Sequence, residues 1–141
     1  MNLILFFTYK TSIEDWINSG IFSREVKLYK ELSDTGKKIT FISYDHENYS
    51  DSLSSYNIRH IPIYKKAKDK KSNLKTLIAC LKILFFQRDT FSKSDIFKTN
   101  QLSGSWIAIL CKIFFRKPLF VRTGYDLYEF SIRNKKSDLK R

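Results

Sequence analysis

Short apolar runs alternate with segments of helical periodicity along most of the chain, and this alternation constrains the fold more than any other feature. The first run, residues 3–9, is almost continuously apolar, which is typical of a strand buried on both faces of a parallel sheet. Further runs predict four more strands, at 39–44, 58–64, 95–99 and 119–121. Strands separated by helices at this spacing form βαβ units, whose strands are parallel.

The first helical segment follows the first strand directly. Ser12 and Asp15 resemble a capping box, and apolar residues then recur at helical spacing. Gly36 is expected to end this segment as the residue after the C-cap. The pattern predicts one long helix between the first and second strands.

Two further helices are predicted in the second half of the chain. The first covers about 73–87, with a broad apolar stripe formed by Leu77, Ile78, Leu81, Leu84 and Phe85. The second is expected to be capped by Ser103 and ended by Pro118. Its apolar side is predicted to carry Trp106, Ile109, Leu110 and Ile113.

A proline in the third predicted strand indicates the strand order. Pro62 cannot donate a backbone hydrogen bond, so its strand belongs at a sheet edge. The expected fold is therefore α/β, a doubly wound, Rossmann-like parallel sheet of five strands in the order 3-2-1-4-5, with helices on both faces. We expect residues 1–130 to form one domain and the basic segment 131–141 to be a tail of a truncated chain.

The cysteines and the apolar segments indicate a cytoplasmic protein. Cys80 and Cys111 each lie in an apolar run, which favours buried thiols in a reducing compartment over a disulfide. Residues 1–7 have no basic segment of the kind that opens a secretory signal. The longest apolar stretches are interrupted by lysine and are shorter than the ~18 residues that a transmembrane helix requires.

The formal net charge of +12 predicts a surface that attracts polyanions. Five lysines, which precede the helix predicted at 73–87, are candidate contacts to an anionic membrane: Lys65, Lys66, Lys68, Lys70 and Lys71. The alternative is that the stripe of this helix is sheet-packing core and the lysines form a solvated loop. A basic, non-enzymatic module that binds nucleic acid or an anionic membrane is the rival function. Nucleic acid is the less favoured partner, because no nucleic-acid-binding motif is present.

Polar residues follow the strands at the predicted switch point. In open α/β sheets the ligand crevice lies beyond the carboxyl ends of the strands, where the strand order reverses. The residues expected there are Tyr9, Lys10 and Thr11 after the first strand, Asn100, Gln101 and Ser103 after the fourth, and Arg122, Thr123, Gly124 and Asp126 after the fifth. Arg122 requires an anionic or hydroxyl-rich partner, which is either a ligand or Asp126.

Other site chemistries lack their sequence signals. No glycine-rich dinucleotide or phosphate-binding motif follows the first strand. His46 and His60 stand apart from each other and from the two cysteines, so no metal-ligand spacing exists. His60, in the edge strand, is expected to be a surface histidine or one with its hydrogen bonds satisfied. The sequence thus predicts neither a metal site nor a cofactor held by this chain.

Two blocks of the sequence resemble a known family. Residues 20–41, a helix opened by Gly20 and followed by a strand, are similar to the start of family 4 glycosyltransferases of the GT-B fold. Residues 95–104 and 117–126 resemble the strand-helix-strand unit that borders that family's interdomain cleft. The resemblance covers about residues 1–130. Asn100 and Thr123 stand where many members carry histidines, so no catalytic residue is assigned.

The resemblance implies an acceptor-side, N-terminal half of a glycosyltransferase. It implies transfer of a sugar from a nucleotide-sugar donor to a saccharide or lipid-linked acceptor. The basic residues beside the helix predicted at 73–87 separately favour a location at the inner face of the cell membrane. The implied substrate contacts are Lys10, Gly20, Asn100, Gln101, Arg122, Thr123 and Asp126. Because the family's donor site lies in a C-terminal domain outside these residues, the chain alone is expected to be inactive. A separate donor-binding subunit is one way to complete the enzyme.

Overall fold

The computed structural model describes residues 1–64 and 72–123. The five candidate membrane lysines, Gly124, Asp126 and the predicted tail 131–141 lie outside the described residues. The strands are β1 (Asn2–Phe6), β2 (Lys38–Ser43), β3 (Ile58–Pro62), β4 (Ile96–Thr99) and β5 (Leu119–Val121). The helices are α1 (Ile13–Asn18), α2 (Phe22–Asp34), α3 (Ser50–Ser54), α4 (Asn73–Phe86), α5 (Arg88–Ser92) and α6 (Ser105–Phe115).

All five strands pair in parallel, in the order β3-β2-β1-β4-β5, which confirms the predicted fold class. Strand β1 is central, with Leu3 opposite Ile39 of β2 on one side and opposite Ile96 of β4 on the other. Strand β3 lies at an edge, as Pro62 requires. The order reverses between β1 and β4, so the carboxyl ends of these two strands form the switch point.

The alternation of side chains along β1 divides the core into two layers. Leu3, Leu5 and Phe7 pack with residues of α1, α2 and α3, where the Trp16 ring stacks on Phe7 with centroids 4.1 Å apart. Ile4 and Phe6 point to the opposite layer, which α4, α5 and α6 cover. Burying each such side chain stabilises the fold by about 1.5–3 kcal/mol. Helices therefore cover both faces of the sheet, as predicted.

The prediction of one long helix between β1 and β2 is wrong. This segment forms two helices, α1 and α2, which are separated at Gly20. The capping box of Ser12 and Asp15 is confirmed at the start of α1. At its end, the Gly20 amide donates to Ile17 and the Ile21 amide to the Trp16 carbonyl, at 3.1 Å each. This is a Schellman motif, and Gly20 adopts the left-handed conformation that it requires, at φ +72°. Gly36, at φ +79°, follows the C-cap of α2 as predicted.

Helix α6 begins and packs differently from the prediction. Its N-cap is Gly104, not Ser103, and no side chain caps it. Its buried residues are Ile107, Ala108 and Cys111, whereas Ile109 and Ile113 of the predicted inner side are exposed. Trp106 and Leu110 are only partly buried against the core. Apolar residues surround this helix, so periodicity could not select the face that packs on the sheet.

Helix α4 also presents an unexpected face to the sheet. Its buried residues are Thr76, Cys80, Ile83 and Leu84. Of the five residues of the predicted stripe, Leu84 alone is buried, and the other four are exposed. The interpretation of that stripe as sheet-packing core is therefore wrong. Cys80 and Cys111 are free and buried, as predicted, and burial raises the pKa of the Cys80 thiol to about 12.

Gly104 lets the loop after β4 pass close over the end of β1. The Tyr9 amide donates to the Ser103 carbonyl at 3.2 Å, and a Cβ added at Gly104 would lie 2.6 Å from the Tyr9 nitrogen. Gly104 also has φ +88°. Glycine is needed here for its backbone conformation and for its lack of a side chain.

We expect Gly104→Ala to destabilise the protein more than Gly20→Ala does. Gly20 has a similar positive φ but nothing within 4 Å of an added Cβ, so its alanine variant reports the backbone strain alone, about 1–2 kcal/mol. Gly104→Ala adds the clash with the Tyr9 backbone, a further cost of about 1–3 kcal/mol. Urea denaturation followed by circular dichroism measures both. Equal losses would show that the close approach to Tyr9 is not a constraint.

Candidate functional site

Backbone hydrogen bonds hold the carboxyl ends of β1, β4 and β5 together. The Asn100 amide donates to the Phe6 carbonyl at 2.9 Å, which fixes the residue after β4 beside the end of β1. The Arg122 amide donates to Thr99 Oγ1 at 3.2 Å, which ties the end of β5 to β4. The backbones of Lys10, Asn100 and Arg122 therefore lie along one edge of the sheet.

The other predicted substrate contacts lie at the surface or outside the described residues. Gln101 and Thr123 follow the strand ends and are exposed. Gly20 is also exposed, at the turn before α2, with open space around its α-carbon. Asp126 is outside the described residues. Gly20 thus has a structural role, because it ends α1. The open space beside it leaves room for another group.

The Lys10 and Arg122 side chains point to opposite faces of the sheet edge. The Lys10 ammonium donates to Asn73 Oδ1 at 2.7 Å, at the start of α4, and the Tyr9 hydroxyl contacts the same oxygen at 3.4 Å. Arg122 instead reaches Glu25 in the first turn of α2. The predicted set of residues therefore divides into two groups on either side of the switch point.

The group on the α2 side is a charged cluster of Glu25, Tyr29, Lys98 and Arg122. Arg122 Nη1 lies 3.1 Å from Glu25 Oε2, and the Lys98 ammonium donates to the Tyr29 hydroxyl at 2.6 Å. Burial, with a further contribution from Arg122, lowers the pKa of Lys98. Burial and the Glu25 carboxylate raise the pKa of Tyr29, so its phenol stays protonated. The cluster combines two cations with a carboxylate and a phenol.

Glu25, Tyr29 and Lys98 were not among the predicted site residues. Two of them carried a signal in the sequence. Lys98 is a lysine inside a short apolar strand, and Glu25 adjoins Val26 on the apolar side of its helix. A charged side chain on a buried face requires a partner, so both Lys98 and Glu25 indicated an ion pair or a polar contact. Within the described residues, Arg122 pairs with the Glu25 carboxylate, while Asp126, one of its two predicted partners, lies outside them.

Asn100 is the most unusual polar residue at this edge. Its residue is 6% exposed, and its side-chain Oδ1 is buried without a hydrogen-bond partner. A buried acceptor without a partner costs about 1–3 kcal/mol, so such atoms are rare in folded proteins. This oxygen is enclosed by the protein, so a ligand hydroxyl or amide could donate to it only if neighbouring side chains moved.

A second buried polar group, Ser43, Asp45 and His60, lies at the ends of β2 and β3. The Ser43 hydroxyl donates to Asp45 Oδ2, and Ser43 Oγ is 2.7 Å from His60 Nε2. The Tyr49 amide donates to His60 Nδ1 at 2.9 Å, so in the neutral ring Nε2 carries the proton. His60 therefore cannot accept the Ser43 proton, and this is not a nucleophile-base pair. The prediction that His60 has its hydrogen bonds satisfied is confirmed.

Asp45 links this group to the start of α1. Its Oδ2 accepts from the Ile13 amide at 3.0 Å. Burial alone would raise the pKa of the Asp45 carboxyl, but the hydrogen bonds from His60, Ile13 and Ser43 outweigh it and hold the pKa below its ordinary value. The group is therefore a structural link between β2, β3 and the helix that follows β1.

Neither a metal-ligand cluster nor a membrane-spanning helix is found in residues 1–64 and 72–123. Within them, no three or more His, Cys, Asp or Glu side chains are grouped so that they could hold a metal ion. None of the helices in the same residues has both the length and the apolar composition needed to cross a membrane.

Comparison of the chain with protein-family models, with curated proteins and with solved structures finds no match. The fold and the site geometry are therefore the basis for assigning a function.

We expect Asn100→Leu to leave the stability within about 1 kcal/mol of wild type, because the substitution removes an unsatisfied acceptor and keeps the side-chain size. The matched variant is Thr99→Val, which removes the acceptor of the Arg122 amide and should cost about 1 kcal/mol. Urea denaturation measures both. A loss for Asn100→Leu well above that of Thr99→Val would mean that the Asn100 amide is structural.

We expect Asp45→Asn to destabilise the protein by about 2 kcal/mol at pH 7, because it disrupts buried, charge-assisted hydrogen bonds. Since the pKa of Asp45 is lower in the folded chain, its carboxylate stabilises the fold fully above the unfolded value of about 3.9. That contribution is lost as the pH falls through the folded value. Thermal melts from pH 7 to pH 3 should show the difference between wild type and variant shrinking below about pH 4.

Asp51→Asn is the control for this experiment, because Asp51 is an exposed carboxylate at the start of α3. It should change the stability by less than about 0.5 kcal/mol at every pH. A difference between wild type and Asp45→Asn that stays constant down to pH 3 would contradict a lowered pKa for Asp45.

Proposed function

We propose that this chain is the acceptor-side half of a glycosyltransferase, which holds a saccharide or lipid-linked saccharide at the carboxyl edge of its sheet. The observation that supports this proposal best is the unpaired, buried Oδ1 of Asn100 beside the end of β1. A hydroxyl-rich ligand that displaces the side chains enclosing this oxygen would supply the missing donor. The resemblance of residues 20–41 and 95–126 to family 4 glycosyltransferases gives the reaction class.

The neighbouring side chains suit a ligand with many hydroxyl groups. On one side of the edge, Lys10 and Asn73 offer an ammonium and an amide. On the other, Arg122 is paired with Glu25 and still has 45% of its side chain exposed. Each of these pairs combines a donor with an acceptor, as recognition of sugar hydroxyls requires.

The proposed reaction is divided between this chain and a second domain or subunit. This chain positions the acceptor, and a second domain or a separate subunit binds the nucleotide sugar and supplies the catalytic groups. Positioning both substrates in one closed cleft can lower the barrier by several kcal/mol, but only when both halves are present. The chain alone is therefore proposed to bind acceptor without turnover, in the cytoplasm at the inner face of the cell membrane.

Ligand binding tests this proposal directly. Saturation-transfer NMR with a panel of soluble disaccharides, and with a polyprenyl-phosphate-linked disaccharide in micelles, should detect binding of a saccharide but not of a nucleotide sugar. Asn100→Leu and Arg122→Ala should each weaken that binding about tenfold, the effect of losing a hydrogen bond worth about 1.4 kcal/mol.

Arg59→Ala is the matched control for the arginine variant. Arg59 lies on edge strand β3 beside Thr90, among residues that line the opposite, amino edge of the sheet. Its removal should leave saccharide binding unchanged. No saccharide binding in the panel, together with a salt-sensitive mobility shift of RNA or DNA, would instead favour the nucleic-acid-binding module.

A further inference from the structure

Exposed apolar side chains are concentrated on one face of the protein. Along α4 they recur at spacings of three and four residues, and α6 carries a second group beside them. The set consists of Leu74, Leu77, Ile78, Leu81, Phe85, Phe86, Ile109, Ile113 and Phe114. We call this set the α4–α6 face. Phe85 is 77% exposed and Phe114 67% exposed, values far above those of ordinary packed side chains.

Part of the α4–α6 face forms a continuous surface. The ends of α4 and α6 border a groove of about 550 Å³, to which Leu81, Phe85, Phe114 and Phe115 contribute apolar walls and Arg88 and Lys117 contribute cations. Contiguous exposed apolar surface of this kind marks an interaction site, whereas single exposed residues do not.

The charged residues within α4 and α6 are all cations, whereas α5, between them in the chain, also carries Asp89. Residues 72–88 and 104–118 contain Lys75, Lys82, Arg88, Lys112, Arg116 and Lys117 and no aspartate or glutamate. The helices on the other side of the sheet, α1 to α3, mix both signs and include Glu14, Glu25, Glu31 and Asp51. Apolar and aromatic side chains on helices whose own charges are all positive match the interface of an anionic bilayer, with an acyl region below and phosphate groups above.

We propose that the α4–α6 face docks on an anionic lipid bilayer, with its leucines and phenylalanines in the acyl boundary and its lysines and arginines at the lipid phosphates. The helices lie along the interface and do not cross it, since α4 has 14 residues. The proposal stands on exposure and charge alone, so it holds or fails independently of the sugar chemistry proposed above.

Vesicle co-sedimentation tests the proposal. The wild-type chain should bind vesicles of phosphatidylcholine with 30% phosphatidylglycerol, bind pure phosphatidylcholine vesicles more weakly, and be partly released by 0.5 M NaCl. The double variant Leu81→Ser and Phe85→Ser should lose at least tenfold in partition coefficient. The matched double variant Ile17→Ser and Leu28→Ser removes two residues that are 49% and 48% exposed on α1 and α2, and should bind as wild type does.

A depth measurement separates insertion from charge attraction alone. Phe85→Trp should gain fluorescence that brominated phosphatidylcholine in the same anionic vesicles quenches, whereas Leu28→Trp, on the opposite side of the sheet, should not be quenched beyond the native tryptophans. Equal quenching of both variants would overturn the proposal. So would a wild-type chain that sediments as a dimer, becomes monomeric in the Leu81→Ser and Phe85→Ser variant, and does not bind vesicles, because the face would then be an interface between copies.

Discussion

Strand β1 is hydrogen bonded in parallel to β2 on one side and to β4 on the other, and both of its faces are buried. The rest of the structure depends on this arrangement. Each neighbour must be reached by a crossover connection, and right-handed crossovers from a central strand place the first helices on one face and the later helices on the other. The two core layers and the two differing surfaces follow from it.

The same arrangement creates the candidate site. In open α/β sheets, ligands bind beyond the carboxyl ends of the strands at such a switch point. Backbone bonds from Asn100 to Phe6 and from Tyr9 to Ser103 hold the strand ends together here, and Gly104 allows their close approach. An unsatisfied oxygen can persist on Asn100 because the surrounding backbone fixes its position, while the cost is small against the stabilisation from the two core layers.

The sheet could be predicted because its signals are local. Short apolar runs mark strands, and Pro62 marks an edge, so the order 3-2-1-4-5 followed from the sequence. The break at Gly20 could not be read from periodicity, since the apolar pattern continues across it. The inward faces of α4 and α6 were misassigned because both helices are apolar on several sides, and there packing, not sequence spacing, selects small residues such as Ala108 and Cys111.

The candidate site was predicted less completely than the sheet. The strand ends that carry Lys10, Asn100 and Arg122 followed from topology, because carboxyl ends of parallel strands share an edge. Arg122 and Glu25 are 97 positions apart in the sequence. Whether they pair depends on how far the arginine side chain reaches from the sheet edge beside β4 to α2. Sequence periodicity does not encode such a distance, so the partner of Glu25 and the role of Tyr29 could be recognised only in the folded chain.

The two proposed surfaces meet at the start of α4. Asn73 Oδ1 accepts from Lys10 at the switch point, and the next residue, Leu74, begins the exposed apolar stripe of the same helix. A chain docked on a bilayer through α4 and α6 would therefore hold the Lys10 side of its crevice at the edge of the lipid interface. An acceptor carried by a lipid would enter the crevice from that side, while the side of Arg122 and Glu25, across the sheet edge, would face away from the bilayer. This geometry favours a lipid-linked saccharide over a free one, because the membrane would confine protein and acceptor to one plane and raise their effective concentration.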